Sequence, residues 1–380
     1  MSKIRAARSL HIAHTESSCG WGGQEIRTLT EAKGMEGRGH RVTLVVPPQA
    51  QIAPAAEKMG LTVVPLDIER KNLGALWRML LWLWRERRSI DVVNTHSSTD
   101  SWLVALATRL LPGAPPIVRT RHVSSPVNRS PASFWLYQRA ARHIAVTGEA
   151  VRQQLHRDNG FALDSMTSVP TGIDLQRFTP LPAGEDRAAL RARLGLPDVP
   201  LLGILATLRN WKGHAYLLEA MVRLPAELGA WRLVVIGDGP QWQNLHRRVD
   251  TLGLGERVIF VGNQDNVPDW LRALDLFALP SYGDEGVPQS IMQAMACGLP
   301  VISTPVGGIT EAVVADETGL IVPPRDADAL AGALVRLMGD ADLRTRLGAA
   351  GLVRAQQRFG SSYMLDRMEA IFAAHGRQAR

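Results

Sequence analysis

LFALPSYGDEGVPQSIMQAMACGLPVIS, residues 276–303, decides how the rest of the chain is read. The apolar run Leu276–Leu279 is a strand, and it stops at Pro280. A loop carrying Asp284 and Glu285 follows, and Pro288 stands where a first helical residue is expected. Gly298 ends the helix and Val301 starts the next strand. Apolar runs separated by helices in this way describe parallel strands buried on both faces.

The same pattern extends in both directions. Before the centre of the chain the strand candidates are Leu10–His14, Arg41–Val46, Leu61–Leu66, Ile90–Thr95, Ile117–Thr120, His143–Val146 and Met166–Val169. A second series comprises Leu201–Ala206, Arg232–Ile236, Val258–Val261, Leu276–Leu279, Val301–Ser303 and Leu320–Val322. Strand–helix alternation repeated twice implies an α/β protein of two doubly wound domains. Their boundary is expected in Thr171–Pro182, where Gly172, Pro180 and Pro182 interrupt any periodicity. Ser361–Ala374 reads as a final helix after Phe359-Gly360. Two such domains are expected to face each other across a cleft at the carboxyl edges of their sheets.

Composition agrees with that size of core. Of 380 residues, 46% are hydrophobic and 21% charged, which excludes disordered, collagenous and disulfide-scaffold classes. No apolar run approaches the roughly 18 residues of a membrane span. Arg8 and the His and Glu positions near the start break any secretory apolar run, so a cytoplasmic protein is expected. Cys19 and Cys297 are too few and too far apart for a disulfide framework or zinc knuckle. Residues 1–180 hold 23 Lys+Arg against 14 Asp+Glu, while the remaining 200 hold 20 against 22. A basic first half beside a near-neutral second suggests different partners: nucleic acid, an anionic membrane face or polyanionic carbohydrate for the first. Lys212 is the one lysine after residue 180.

Four loops follow strands and could carry chemistry. Cys19-Gly20-Trp21-Gly22-Gly23-Gln24-Glu25 opens a helix after the first strand, and its glycines let backbone approach an anion, although a plain tight turn also explains it. Leu208-Arg209-Asn210-Trp211-Lys212-Gly213-His214 puts two cations three residues apart before a helix, which suits a diphosphate. Ile236-Gly237-Asp238-Gly239-Pro240 has Trp242 where a dinucleotide fingerprint needs glycine, and reads as a turn. In the Glu285 loop, the amides of Gln289 and Ser290 point out of the helix N-terminus, Glu285 lies before them, and Gln293 shares a face with Gln289. That loop forms an anion-and-hydroxyl site. His96 reads as a hydrogen-bonded strand-end residue, whereas His122, flanked by Arg119 and Arg121, reads as functional.

These blocks resemble the retaining, nucleotide-sugar-dependent glycosyltransferases of family 4, the group 1 glycosyltransferases, whose GT-B fold has two Rossmann-like domains. The resemblance runs from Gly22-Gly23-Gln24-Glu25 and Gly39-His40-Arg41-Val42 through Asp91-Val92-Val93, His96 and Arg121-His122. It continues through Val169-Pro170-Thr171-Gly172-Ile173-Asp174 with Phe178, then Lys212-Gly213, Gly237-Asp238-Gly239-Pro240 and the whole Glu285–Val301 block. It implies an N-terminal acceptor-side domain over 1–172, a donor-binding domain over 173–360, and a C-terminal helix in 361–380 crossing back to the first. By the same resemblance Glu285 and His122 are the catalytic residues meeting the donor sugar. Arg209 and Lys212 bind the diphosphate, Gly23 approaches the distal phosphate, and Gly286, Val287, Gln289, Ser290 and Gln293 complete the donor site. Two positions depart from the family: Gln293 replaces its second glutamate, and Thr207 stands where it has an arginine.

The implied reaction moves a sugar from a nucleotide-sugar to a glycan or lipid-linked acceptor with retention, in bacterial lipopolysaccharide or surface polysaccharide synthesis. Preorganised cations and helix amides stabilise the leaving diphosphate. Asp326-Ala327-Asp328 reads as a helix cap rather than a metal motif, so no metal and no cofactor beyond the nucleotide-sugar co-substrate are expected. The rivals are a nucleotide-sugar epimerase of similar fold and a non-enzymatic carbohydrate-binding module. No aromatic-interleaved RNA motif supports a nucleic-acid partner. Arg70-Lys71, Trp77, Arg78, Trp82, Trp84, Arg85, Arg87 and Arg88 lie on a stretch with helical apolar spacing. It reads as a core-packed helix, or as one that also touches an anionic membrane, which would place the protein peripherally on the cytoplasmic face of the inner membrane.

Overall fold

Residues 8–122, 125–283 and 285–377 are described by a computed structural model. The chain divides into two compact units, Met1–Gly172 together with Ser361–Arg380, and Ile173–Gly360.

The first unit is built on β1 (His11–Thr15), β2 (Arg41–Val46), β3 (Thr62–Pro65), β4 (Val92–Thr95), β5 (Ile117–Arg121), β6 (Ala141–Val146) and β7 (Met166–Ser168). They form one sheet in the order β3-β2-β1-β4-β5-β6-β7, every described ladder parallel. Successive residues serve opposite faces: Ile12, Leu44 and Val92 enter one apolar layer, Ala13, Val45 and Val93 the other. This two-sided burial is why the strands read as unbroken apolar runs. The second unit has β8 (Leu201–Leu205), β9 (Arg232–Ile236), β10 (Val258–Gly262), β11 (Leu276–Leu279), β12 (Val301–Ser303) and β13 (Gly319–Ile321), in the order β10-β9-β8-β11-β12-β13. It too is all parallel among the described residues.

Strand ends differ from the sequence reading by one or two residues. β1 runs one residue further, because Thr15 still pairs with both Val45 and Thr95. β6 begins at Ala141 rather than His143: a helical turn, Leu136–Ala140, runs straight into it with no breaker residue between. Polar caps set several helix starts. The Asn72 side chain accepts from Ala75 N at 2.8 Å, and Asp326 from Ala329 N at 2.8 Å.

The last helix, Ser361–His375, belongs to the first unit. Met364, Leu365, Met368, Ile371 and Phe372 are part of the apolar layer that holds Ile12 and Leu44. Gly172 accommodates it, since a Cβ there would lie 2.6 Å from Ser361 Cα. Arg38 clamps its polar side, reaching Glu369 at 2.6 Å and Asp366 at 2.7 Å.

Candidate functional site

In a doubly wound sheet, ligands bind outside the carboxyl ends of the strands where the order reverses. In the second unit those strands are β8 and β11. The chain leaving β8 makes a tight turn, Asn210–Lys212, and enters helix His214–Val222 through Gly213. Gly213 has φ +81°, and a Cβ there would lie 2.0 Å from the Pro280 carbonyl oxygen. The loops after β8 and β11 therefore touch only because the side chain is missing. Tyr282 N donates to Trp211 O at 2.8 Å and ties them together.

This contact delivers Lys212 to Glu285. Lys212 Nζ donates to Glu285 Oε1 at 2.6 Å, and Ser281 Oγ donates to the same oxygen at 2.8 Å. Glu285 is only 8% exposed, so its charge is held in a partly desolvated place by a cation and a hydroxyl. Its backbone is braced by Gly308 N, which donates to Glu285 O at 3.0 Å. Gly307, at φ +56°, has no room for a Cβ, which would fall 2.0 Å from that carbonyl oxygen. Arg209 is exposed, its guanidinium 5.2 Å from the Trp211 ring centroid. It opens onto a pocket of about 270 Å³ shared with Asn210, Tyr216, Arg248 and Tyr282. The turn after β9 supports this loop: Leu208 N donates to Asp238 O and Gln241 N to Leu208 O, each at 3.0 Å.

Helix Gln289–Ala296 starts one residue later than the sequence suggests. Pro288 has ψ 127°, outside the helix, and serves as its N-cap. Met292 N donates to Pro288 O at 3.3 Å, so the amides of Ser290 and Ile291 precede the first intrahelical bond. Val287 is buried, Gly286 and Gln289 half-buried. Gln293 is also half-buried and makes no side-chain hydrogen bond among the described residues.

In the first unit the corresponding strands are β1 and β4, with β5 beside β4. Each brings a histidine to its carboxyl end. His14 Nδ1 lies 2.9 Å from His96 Nε2, and His96 Nδ1 lies 2.8 Å from His122 Nε2. Burial depresses all three pKa values, that of His14 to about 3, and the neighbouring Arg27 and Arg119 add to the depression of His96 and His122. The chain is therefore neutral at physiological pH, with one proton per ring. His14 Nε2 is buried with no partner among the described residues. An orphaned lone pair is better tolerated there than an orphaned N–H, so His14 carries its proton on Nδ1. His14 then donates to His96, His96 donates to His122, and His122 is left with its proton on Nδ1 as a fixed neutral donor.

Beside this chain lies a carboxyl network. Ser97 Oγ and Gln24 Nε2 donate to Glu16, and Ser18 N donates to it at 2.8 Å. Asp100 accepts from Thr15 Oγ1 at 2.8 Å and from His96 N and Ser97 N, each at 2.9 Å. Burial raises both carboxyl pKa values, and the charge of Asp100 raises that of Glu16 further. Gly23 begins the helix Gly23–Gly37 next to Gln24.

The structure thus brings Lys212 and Glu285 into direct contact and places Arg209, Gly286, Val287, Gln289, Ser290 and Gln293 on the loops and helix around them. Gly23 and His122 belong to the first unit. Sequence reasoning missed Ser281 as a support for Glu285, and missed the network of His14, Glu16 and Asp100. It read His96 as structural, and the structure makes it the link between His14 and His122. Among the described residues no group of three His, Cys, Asp or Glu side chains is placed to hold a metal ion.

Residues 21–177 match the model of Glycosyltransferase Family 4, and residues 199–340 that of Glycosyl transferases group 1. The D-inositol 3-phosphate glycosyltransferase of Xylanimonas cellulosilytica is 31% identical, covering 91% of each chain. The lipopolysaccharide core biosynthesis mannosyltransferase LpsB of Rhizobium meliloti is 34% identical over 85% of this chain and 91% of its own. The crystal structure of Anabaena Alr3699/HepE in complex with UDP matches with a TM-score of 0.85 at 20% identity, over 96% of this chain and all of that one. At that identity the likeness is one of fold, the GT-B fold. With full-length relatives above 30% identity and a family match in each unit, this chain belongs to the group 1, family 4 glycosyltransferases.

Proposed function

We propose that this protein transfers a sugar from a nucleotide-sugar to a glycan or lipid-linked acceptor, with retention, in bacterial lipopolysaccharide or surface polysaccharide synthesis. The observation that carries the reading is the Lys212–Glu285 pair at the carboxyl ends of β8 and β11. The naming of LpsB for lipopolysaccharide core synthesis supports the pathway, and the UDP bound to HepE supports a nucleotide donor.

In this scheme the diphosphate sits against Arg209, Lys212 and the amides at Gly286–Ser290, and Gln293 meets the ribose. As the sugar–oxygen bond breaks, negative charge grows on the departing diphosphate and positive charge on the sugar ring. The fixed cations and amides stabilise the first, and the carboxylate of Glu285 the second. The acceptor hydroxyl attacks the face the diphosphate leaves, and its proton passes to a diphosphate oxygen. Arg209 and Lys212 take the neutralising role that a metal has elsewhere.

Isothermal titration with nucleoside diphosphates, run in the presence of a chelator, tests this. Lys212→Ala is expected to weaken binding by about 1.5–3 kcal/mol, the scale of a hydrogen bond to a charged group. Unchanged affinity in both Lys212→Ala and Arg209→Ala would remove the donor site. Binding or turnover lost to chelator and restored by a divalent cation would contradict the metal-free scheme.

We also infer contact with an anionic membrane. The helix Leu73–Glu86 buries Ala75, Met79 and Leu83 but leaves Leu73 84%, Trp77 60% and Trp84 53% exposed. Arg85 and Arg88 are exposed beside them, and Arg87 lies over the Trp84 ring at 5.4 Å. No described helix is long and apolar enough to cross a membrane, so the contact would be interfacial. The protein is expected to sediment with anionic vesicles and to release as salt rises. Trp77→Ser with Trp84→Ser should abolish sedimentation without lowering Tm; equal binding to neutral vesicles, or none to either, would leave this helix a packing role only.

A further inference from the structure

Between β4, β5 and the helix Ser98–Leu110 the first unit encloses a cavity of about 460 Å³, within the roughly 300–1,000 Å³ typical of small-molecule sites. Two arginines line it. Arg119 and Arg121 alternate with Thr120 on β5, so both point to the same side of the sheet. They are only 4% and 7% exposed. Neither forms an ion pair among the described residues. Arg119 Nε and Nη1, and Arg121 Nε, are buried without any hydrogen-bond partner there.

Such guanidiniums are costly unless something pairs with them. Asp100 is near enough for the Arg119 charge to act on it, but it forms no ion pair or hydrogen bond with Arg119 among the described residues and accepts instead from Thr15, His96 N and Ser97 N. The arginines are also held rigidly. Arg119 Cζ lies 4.6 Å from the Tyr137 ring centroid, and Tyr137 stacks on Phe161 at 4.8 Å. Arg121 Nη1 donates to Tyr137 Oη at 2.9 Å and Nη2 to Ser125 O. After burial, the charge of Arg119 lowers the pKa of nearby Lys71, with Asp100 opposing it. Elsewhere the wall carries Trp102 and the polar groups of Ser97, Ser98, Asn128 and Ser133, suited to a sugar and its hydroxyls.

We propose that this cavity binds the acceptor, and that the acceptor is a sugar carrying an oxyanion, phosphate or carboxylate, seated against Arg119 and Arg121. The inference rests on the transferase reading for the word acceptor; the anion site itself does not.

The test is titration of the full chain, without nucleotide, with glucose 6-phosphate, glucuronate, glucose and inorganic phosphate, read by calorimetry and thermal shift. Inorganic phosphate and at least one anionic sugar are expected to bind saturably and glucose not to; preference between the two anionic sugars tells phosphate from carboxylate. Arg119→Met should weaken anion binding about ten- to 150-fold, the fold-change of one lost charged hydrogen bond. Its unliganded Tm should change little, because a buried charge without an ion pair is replaced by a neutral side chain of similar length. Lys212→Ala should retain anion binding, and Arg119→Met should retain nucleoside diphosphate affinity. Anion binding unchanged in Arg119→Met, glucose binding as well as the anions, no anion binding at all, or binding lost only in Lys212→Ala would each overturn the proposal. Anion binding in a protein that fails to bind any nucleoside diphosphate would instead overturn the transferase reading and leave the cavity standing.

Discussion

Glu285→Gln is expected to lower kcat by about 10²–10³-fold, the scale for losing one preorganised electrostatic contact to a transition state. The change keeps the shape of the side chain and its bond from Ser281, but removes the charge that Lys212 pairs with at 2.6 Å. A sugar that becomes cationic only as its bond breaks feels that charge most in the transition state, so donor KM should move by no more than a few-fold. Gln293→Ala makes the contrast. Gln293 is neutral and its side chain makes no hydrogen bond among the described residues. A ribose contact there contributes about 0.5–1.5 kcal/mol, so its loss should raise donor KM roughly two- to tenfold and spare kcat. Steady-state kinetics on both variants separates the roles. Equal loss of kcat in both would undo the separation, and no effect of Gln293→Ala on either parameter would leave it a plain helix residue.

Removing residues 361–380 should unfold the first unit. The deletion strips Met364, Leu365, Met368, Ile371 and Phe372 from the layer against Ile12, Leu44 and Val92. At about 1.5–3 kcal/mol for each buried side chain, the five together contribute an upper bound of about 7–15 kcal/mol. That equals the whole stability of a typical domain, about 5–15 kcal/mol. Limited proteolysis is expected to leave a fragment near residues 173–360 and to digest the rest. A gentler probe is Phe372→Ala, for which urea unfolding should show a loss of about 3–5 kcal/mol. A truncated protein that melts like the full chain would show that the helix is only an ornament of the first unit.

The two sheets were legible because their central strands are buried on both faces, and a two-sided burial writes itself as an apolar run; the edge strand β3 is partly exposed. The Lys212 and Glu285 loops were legible because proline and glycine punctuate them and because Lys212 is the one lysine in that half of the chain. What the sequence hid depends on strand order. His14, His96 and His122 are far apart in the chain and converge only because β1, β4 and β5 are neighbours, an arrangement no local pattern announces. His14 lies near the end of a short strand that also carries His11 and Thr15, with no neighbouring motif to single it out. Arg119 and Arg121 were visible as flanks of His122, but their lack of counter-charge is a property of the packed cavity. Pro288 was read one position too far into its helix because the N-cap and the first helical residue both accept its φ.

The return of the final helix to the first unit has a consequence for the order in which the protein is made. Residues 8–172 leave the ribosome well before the final helix, and the layer around Ile12, Leu29 and Met35 lacks part of its cover until residues 364–372 appear. The intervening 173–360 form a unit of their own and can close as they emerge. At about 5–20 residues per second, the first-made sheet waits roughly 10–40 s with one apolar face open. The first unit is therefore begun before the second and completed after it, and of the two it is the more exposed to capture by a chaperone, or by a second nascent chain, while it waits.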